Sequence, residues 1–516
     1  MRLLKISILF FWISALSAQV SLSDMASFHS APQEAAFTKM QTGDTALLEL
    51  LVFANKEATR ADYEKYQARL VKIAEALDSA KLVRKSPKKQ IKKIFNAVHD
   101  NLLVKYEFEN SFCEVFTTGF YNCVSATALY SYMLEAMGIE NVLVETPDHV
   151  YAMALIEDEE WVLESTLPEQ GYYPVSDDDY QTSLDALVAQ KLITLEQRNS
   201  ANIDSLVSEM FPRRAISSKR LVAIQYTNMA HYYFEDKNYE QALQNAVWAQ
   251  MISSDEINSE LLYSCLAFWI DNNPFEAPSY FKNLQYLASL DTSKAAQSNM
   301  LEVLAYYGNS FVNDSLNEVQ FINYSQALSA GIAQTGADTT KVYALTRGIL
   351  AQKAVVNLNG LLALKYGKQS LKSDSTLTDV FNYLITGIGL LERGQVLPRA
   401  QILDTALAYY AEFVALKKKP LWNSLISEIY LLAMIDELEL GSLKSAVAYQ
   451  KQFEAFAEDE LRNTQLNLQY VEVYYKKLAL KCYNSSRSQA KMALEKGLEY
   501  APNSRQLRQT RKILGL

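Results

Sequence analysis

Tyr121-Asn122-Cys123-Val124-Ser125-Ala126-Thr127-Ala128-Leu129 is the stretch on which the reading of this 516-residue chain turns. From Cys123 onward Val124, Ala128, Leu129, Met133, Leu134 and Met137 recur at three- and four-residue intervals, the spacing of one helical face, and Gly138 supplies a C-terminal stop. Asn122 is a favoured N-cap residue. The spacing therefore predicts a helix that opens on Cys123. The sulfur then sits in the first turn, where unpaired backbone N–H groups and the helix dipole favour an anion, and so favour the nucleophilic thiolate over the thiol.

Downstream, Val142-Leu143-Val144 reads as a short strand and His149 to Ile156 as a longer one. The polar turn Glu157-Asp158-Glu159-Glu160 follows, and Trp161 to Ser165 runs back. His149 and Glu164 lie at the open end of this hairpin, so antiparallel pairing brings imidazole and carboxylate together. Cysteine, histidine and acid are the three parts of an activated thiol nucleophile. In that arrangement Glu164 accepts the Nδ1–H of His149, and His149 takes the proton of Cys123. Asp148 and Glu145 are the other carboxylates in reach. Each residue also has a plainer reading, since a free cysteine often only packs in a core and a histidine at a strand start is often a surface residue. Their company, in this order, favours chemistry.

The pattern resembles the transglutaminase-like branch of the papain-type cysteine enzymes, in which a helix-borne Cys precedes a His and an acid on adjacent strands. Tyr121-Asn122-Cys123 with its helix, Pro147-Asp148-His149-Val150-Tyr151 and Trp161 to Thr166 carry the resemblance. The lead-in Ile91-Lys92-Lys93-Ile94-Phe95 to Val104, with Phe112, Phe116 and Gly119, is similar too. One departure is that the family usually has Asp where this chain has Glu164. The resemblance implies an α+β papain-like domain with Cys123, His149 and Glu164 as catalytic residues and no cofactor. The thiolate would attack an amide carbonyl, His149 would protonate the leaving amine, and water or another amine would resolve the thioester. Proteolysis, deamidation and cross-linking share that first half-reaction.

Cys113, Cys123, Cys265 and Cys482 are the cysteines, and the first two could pair in an oxidising compartment, which would silence the nucleophile. The four histidines, His29, His99, His149 and His231, form no close-spaced ligand pairs with them, so no metal site is expected. A Gly-rich phosphate loop and a basic cluster with interleaved aromatics are both missing, and the net charge is −10. An acidic surface repels nucleic acid and anionic membranes. Residues 1–18 read as a secretory signal, with Arg2 and Lys5 before the apolar run Ile6 to Leu16 and small Ser17-Ala18 at the cleavage position. The mature protein is expected to be exported, periplasmic or secreted, with no membrane insertion.

A chain of this length needs two or more domains. Beyond Gly171-Tyr172-Tyr173-Pro174 the strand signal stops, and a polar stretch through Asp177-Asp178-Asp179 leads into helical segments. From about Leu221 the pattern resembles a 34-residue tetratricopeptide repeat: Tyr226 to Tyr233, then Tyr239-Glu240-Gln241-Ala242-Leu243 with Ala246 and Ala249. Ala230 and Ala242 would let two helices approach, with Tyr233 filling the space between. Leu361 to Ser373 and, more weakly, Leu407 to Leu416 read as further second helices, as does Ser488 to Leu498 before Pro502. Seven to nine helix pairs are expected at this period. The expected order is a signal (1–18), a flexible segment (19–40), the transglutaminase-like domain with its linker (41–215) and an all-α helical-repeat solenoid (216–516). The solenoid would bind a protein or peptide. The chain thus reads as an exported cysteine hydrolase or amidase whose repeats recruit its substrate. The rival reading is a non-catalytic binding scaffold with a relic domain.

Overall fold

The computed structural model describes residues 20–43, 47–79, 81–164, 166, 171–175, 177–210, 212–290, 293–460 and 465–516. The expected signal segment lies outside them. Among the described residues the molecule is mostly helical with one five-stranded and one two-stranded sheet, and it divides into two compact units, Met1–Leu290 and Asp291–Leu516.

In the first unit the Cys123–Ala136 helix is the centre of the core. Val124, Ala126, Leu129, Tyr130, Met133 and Leu134 are fully buried, so this helix is apolar nearly all round, as a helix enclosed on several sides must be. On one side lies the sheet, whose strands are β3 (Glu140–Glu145), β4 (Val150–Ile156), β5 (Glu159–Leu163), β6 (Tyr172–Pro174) and β7 (Arg214–Ile216). Their spatial order is β6-β5-β4-β3-β7, and every pairing is antiparallel. Burial alternates along β4, so that Val150, Ala152 and Ala154 join the core. The Pro87–Leu102 helix contributes Ile91, Ile94, Phe95, Val98 and Leu102, one stripe at helical spacing, to the same core. Each such side chain stabilises the fold by about 1.5–3 kcal/mol relative to exposure. Two short strands, β1 (Lys105–Tyr106) and β2 (Phe120–Tyr121), pair in parallel just before the cysteine helix.

Several features differ from the sequence-based expectation. The hairpin turn between β4 and β5 is shorter, because Glu159 and Glu160 pair with Ile156 and Leu155. Only Glu157 and Asp158 are left, with Glu157 in the left-handed region at φ 59°. The segment taken as flexible folds from Leu22: the Ala31–Gln41 helix buries Ala36, Phe37 and Met40, and Phe37 meets Trp248 edge-on at 4.9 Å. Finally, the expected boundary after residue 215 does not separate two cores. Leu221, Val222, Ala223 and Tyr226 of the Ser218–Glu235 helix, with Trp248 and Ala249 of the Tyr239–Ile252 helix, belong to the core of the first unit. Local periodicity shows that these are paired helices but not what covers their outer face.

Ala230 and Ala242 of this pair are fully buried, and the buried aromatic is Tyr226 rather than the partly exposed Tyr233. Helices Glu256–Asn272 and Tyr280–Leu290 complete the unit. The second unit is all helical among the described residues, with eleven α-helices in sequence from Lys294–Val312 to Arg505–Ile513. Small residues set their approach. A Cβ on Gly360 would fall 2.6 Å from the Gly387 carbonyl oxygen, and one on Gly367 would fall 2.7 Å from Leu384 Cδ2, so the Gly360–Ser373 and Val380–Arg393 helices pack closer than any side chain would permit. The segment read as a helix over Leu407 to Leu416 is instead Arg399–Glu412 followed by a 3₁₀ turn at Val414–Lys418. Phe413 and Leu416 turn into the core there and end the α-helix.

Candidate active site

The cysteine helix begins with a reciprocal cap. Asn122, extended at φ −123°, accepts the Ser125 N–H on its side chain at 3.0 Å, and Ser125 Oγ accepts the Asn122 N–H at 2.9 Å. Cys123 is the first helical residue and is partly exposed. With the Ser125 N–H taken, the N–H groups of Cys123 and Val124 remain as donors beside the sulfur, where an oxyanion would form.

His149 arrives at the same place from the sheet. A tight turn closed by the Thr146 N–H on the His149 carbonyl at 2.8 Å joins β3 to β4. Thr127 Oγ1 then donates to the Val150 carbonyl at 3.0 Å, which ties the strand to the cysteine helix one residue past the imidazole. Glu164 follows from register. Leu163 pairs with Ala152, so the next residue stands across from Tyr151 and diagonal to His149. Both Glu164 oxygens lie 3.1 Å from His149 Nε2. The carboxylate is held in turn by the Thr166 N–H at 2.7 Å and the Thr166 hydroxyl at 2.6 Å.

The imidazole therefore faces the acid through Nε2, not through Nδ1 as the sequence reading had it. Cys123 is close enough to help raise the imidazole's pKa, and with Nε2 on the acid the ring nitrogen left for the sulfur is Nδ1. Hairpin register establishes that the two side chains meet, but the ring's rotamer is a matter of packing. Tyr151 lies along the imidazole at 6.1 Å with an interplanar angle of 29°.

The site is electrostatically strong. Burial works against the charge on His149, yet hydrogen bonds and charge from Cys123 and Glu164 prevail and raise its pKa to about 10. Burial also works against the Glu164 carboxylate, and the hydrogen bonds of His149 and Thr166 overcome it, lowering its pKa to about 2. Imidazolium and carboxylate thus coexist at neutral pH with little exposure, 19% and 11% of their side chains. Aromatic residues surround them. Burial, then the charges of Cys123 and Glu164, push the Tyr106 phenol up to about 12, and Tyr232 is raised by burial and Cys123.

The competing assignments are placed elsewhere. Glu145 is buried in ion pairs with Arg214 at 2.9 Å and Arg220 at 2.7 Å. Asp148 is exposed and accepts from the Thr146 hydroxyl at 3.3 Å. Cys113 does not pair with Cys123: all four cysteines are free, and the Cys113 thiol donates to the Val52 carbonyl at 3.4 Å. Burial raises Cys113 and Cys265 to about 12, which leaves both as inert thiols at neutral pH. Burial lowers the pKa of His29, and His99 packs on Phe95 at 4.3 Å. No group of three or more His, Cys, Asp or Glu among the described residues could hold a metal ion. No described helix is long and apolar enough to cross a membrane.

Sequence reasoning missed Thr166, Tyr106 and Tyr232. Thr166 had a usable signal, since a hydroxyl two residues after an acid often closes a side-chain turn. The tyrosines had none, because they come from β1 and from a helix more than a hundred residues downstream. No family model matches the chain, and neither does any curated protein or solved structure.

Proposed function

We propose that this protein is a cysteine-dependent acyl-transfer enzyme of transglutaminase-like type, in which Cys123 is the nucleophile, His149 the acid–base and Glu164 the orienting acid. The observation that carries this reading is the convergence, on one imidazole, of a thiol at a helix N-terminus and a buried carboxylate. The Cys123 thiolate adds to an amide carbonyl, and the developing oxyanion meets the N–H groups of Cys123 and Val124. His149 gives its Nδ1 proton to the leaving amine as the C–N bond breaks. It then takes a proton from the water that cleaves the thioester. Glu164 stays ionised throughout and stabilises the imidazolium. Hydrolysis is the favoured outcome because water needs no second binding site. On this proposal residues 1–18 direct export, and the helical repeats, of tetratricopeptide-like type, recruit a protein or peptide substrate.

Brief exposure of the full-length protein to iodoacetamide, followed by mass-spectrometric mapping, tests the reading. Cys123 should be modified far faster than Cys265 or Cys482, and Cys123→Ala should abolish capture of acyl-enzyme from a mixture of protein substrates. Equal rates at all cysteines would sink it.

A further inference from the structure

The Ser218–Glu235 helix belongs, by its sequence, to the first helical repeat, yet two of its side chains reach the loop beside the nucleophile. The Tyr232 hydroxyl donates to the Phe108 carbonyl at 2.5 Å, and Gln225 Nε2 donates to the Asn110 carbonyl at 3.3 Å. These residues are seven apart, two helical turns, and so lie on one face. Asn122 Nδ2 donates to the same two carbonyls, at 3.5 Å to Phe108 and 3.2 Å to Asn110. Each carbonyl is thus shared between the cap of the cysteine helix and the repeat helix. The Phe108 and Tyr232 rings meet edge-on at 5.7 Å. Asn122 and Gln225 are almost fully buried, which shields their amide donors from water, while the Tyr232 hydroxyl lies nearer the surface.

Cys123 is the next residue after Asn122. Any rotation of Asn122 turns the first peptide of the helix and moves both the sulfur and the N–H groups beside it. We propose that Tyr232 and Gln225 are positioning residues for Cys123, holding residues 108–110 and through them Asn122, so that the first repeat helix is a working part of the active site. This rests on the reading of Cys123 as the nucleophile. The first helix pair then does more than recruit substrate: without it the cap of the nucleophile helix loses its outer support.

Iodoacetamide modification of Cys123 in the full-length protein, followed from pH 5 to 10, tests the inference. Tyr232→Phe keeps the ring and removes only the hydroxyl. It should slow Cys123 modification at pH 7 about tenfold, the worth of one hydrogen bond of this kind, and displace the pH profile. The Cys265 rate should stay as in the unmodified sequence, and the melting temperature should fall by no more than the few degrees one hydrogen bond is worth. Gln225→Met, which keeps the shape and removes the donor, should act in the same direction. Tyr232→Phe with an unchanged rate and profile overturns the proposal while Cys123 itself remains fast. A melting temperature lowered by more than one hydrogen bond is worth in Tyr232→Phe, with an unchanged profile in Gln225→Met, overturns it too and leaves these residues as packing alone. Failure of the parent reading looks different: Cys123 of the unaltered protein would then react no faster than Cys265.

Discussion

Replacement of Glu164 by glutamine removes one charge from the site and almost nothing else. The amide can still accept from Thr166, whose N–H and hydroxyl both point at Oε1, so the local turn should survive. The loss falls on His149. Its pKa stands at about 10 against an ordinary 6.5, and Glu164 and Cys123 each supply a hydrogen bond and a charge toward that rise. At about 1.4 kcal/mol per unit the imidazolium is favoured by roughly 5 kcal/mol. With one of its two charged partners lost, the imidazole of Glu164→Gln should fall in pKa, and its pairing with Cys123 should weaken by at least about tenfold. Turnover should fall further, by up to about ten-thousandfold, because the tautomer is no longer enforced. The assay is the rate of Cys123 alkylation against pH: the alkaline limb of the unaltered protein should lie near 10 and that of the variant at distinctly lower pH. Glu164→Asp should keep part of the activity, since the charge remains. An unchanged limb in Glu164→Gln, with Asp148→Asn or Glu145→Gln inactive instead, would refute the assignment of the acid.

The same pair makes stability pH-dependent. Glu164 is depressed, so its contribution is complete above about 4.5 and is lost as pH falls toward about 2. His149 is raised, so its contribution is complete below 6.5 and is lost as pH rises toward about 10. The melting temperature of the unaltered protein should therefore exceed that of a His149→Gln, Glu164→Gln double variant most between pH 4.5 and 6.5, and a constant difference from pH 3 to 10 would contradict the pairing. A fragment that begins at residue 216 should fold poorly in its first two helices, whose core partners Phe37 and Val150 are gone, whereas one that begins at residue 293 should melt cooperatively. Circular dichroism of the two fragments decides this. Gly360→Ala should destabilise the second unit by about 1–3 kcal/mol in urea unfolding, because its methyl would fall 2.6 Å from the Gly387 carbonyl oxygen, which is backbone, and 3.1 Å from Leu391.

Much of this molecule is local and therefore written along the chain. The period of apolar residues from Val124 to Met137, the cap at Asn122 and the stop at Gly138 suffice for the cysteine helix, because each acts within a turn of its neighbour. The apolar run from Val150 to Ile156 and the acidic residues after it suffice for the hairpin, and antiparallel geometry then leaves His149 and Glu164 no choice but to be close. The helix pairs announce themselves in the same way, through small residues such as Ala242 and Gly367 where backbones approach. Other features are decided between segments far apart in sequence, where no periodicity reports. The choice of Nε2 for Glu164 depends on how the imidazole packs beside Tyr151 and Cys123. The exclusion of Glu145 depends on Arg214 and Arg220, some seventy residues away. The burial of Phe37 depends on Trp248, and the hold on residues 108–110 depends on Gln225 and Tyr232. Spacing along a chain records which face of an element is apolar. What that face meets is a property of the packed whole, and it is there that the surroundings of Cys123 are determined.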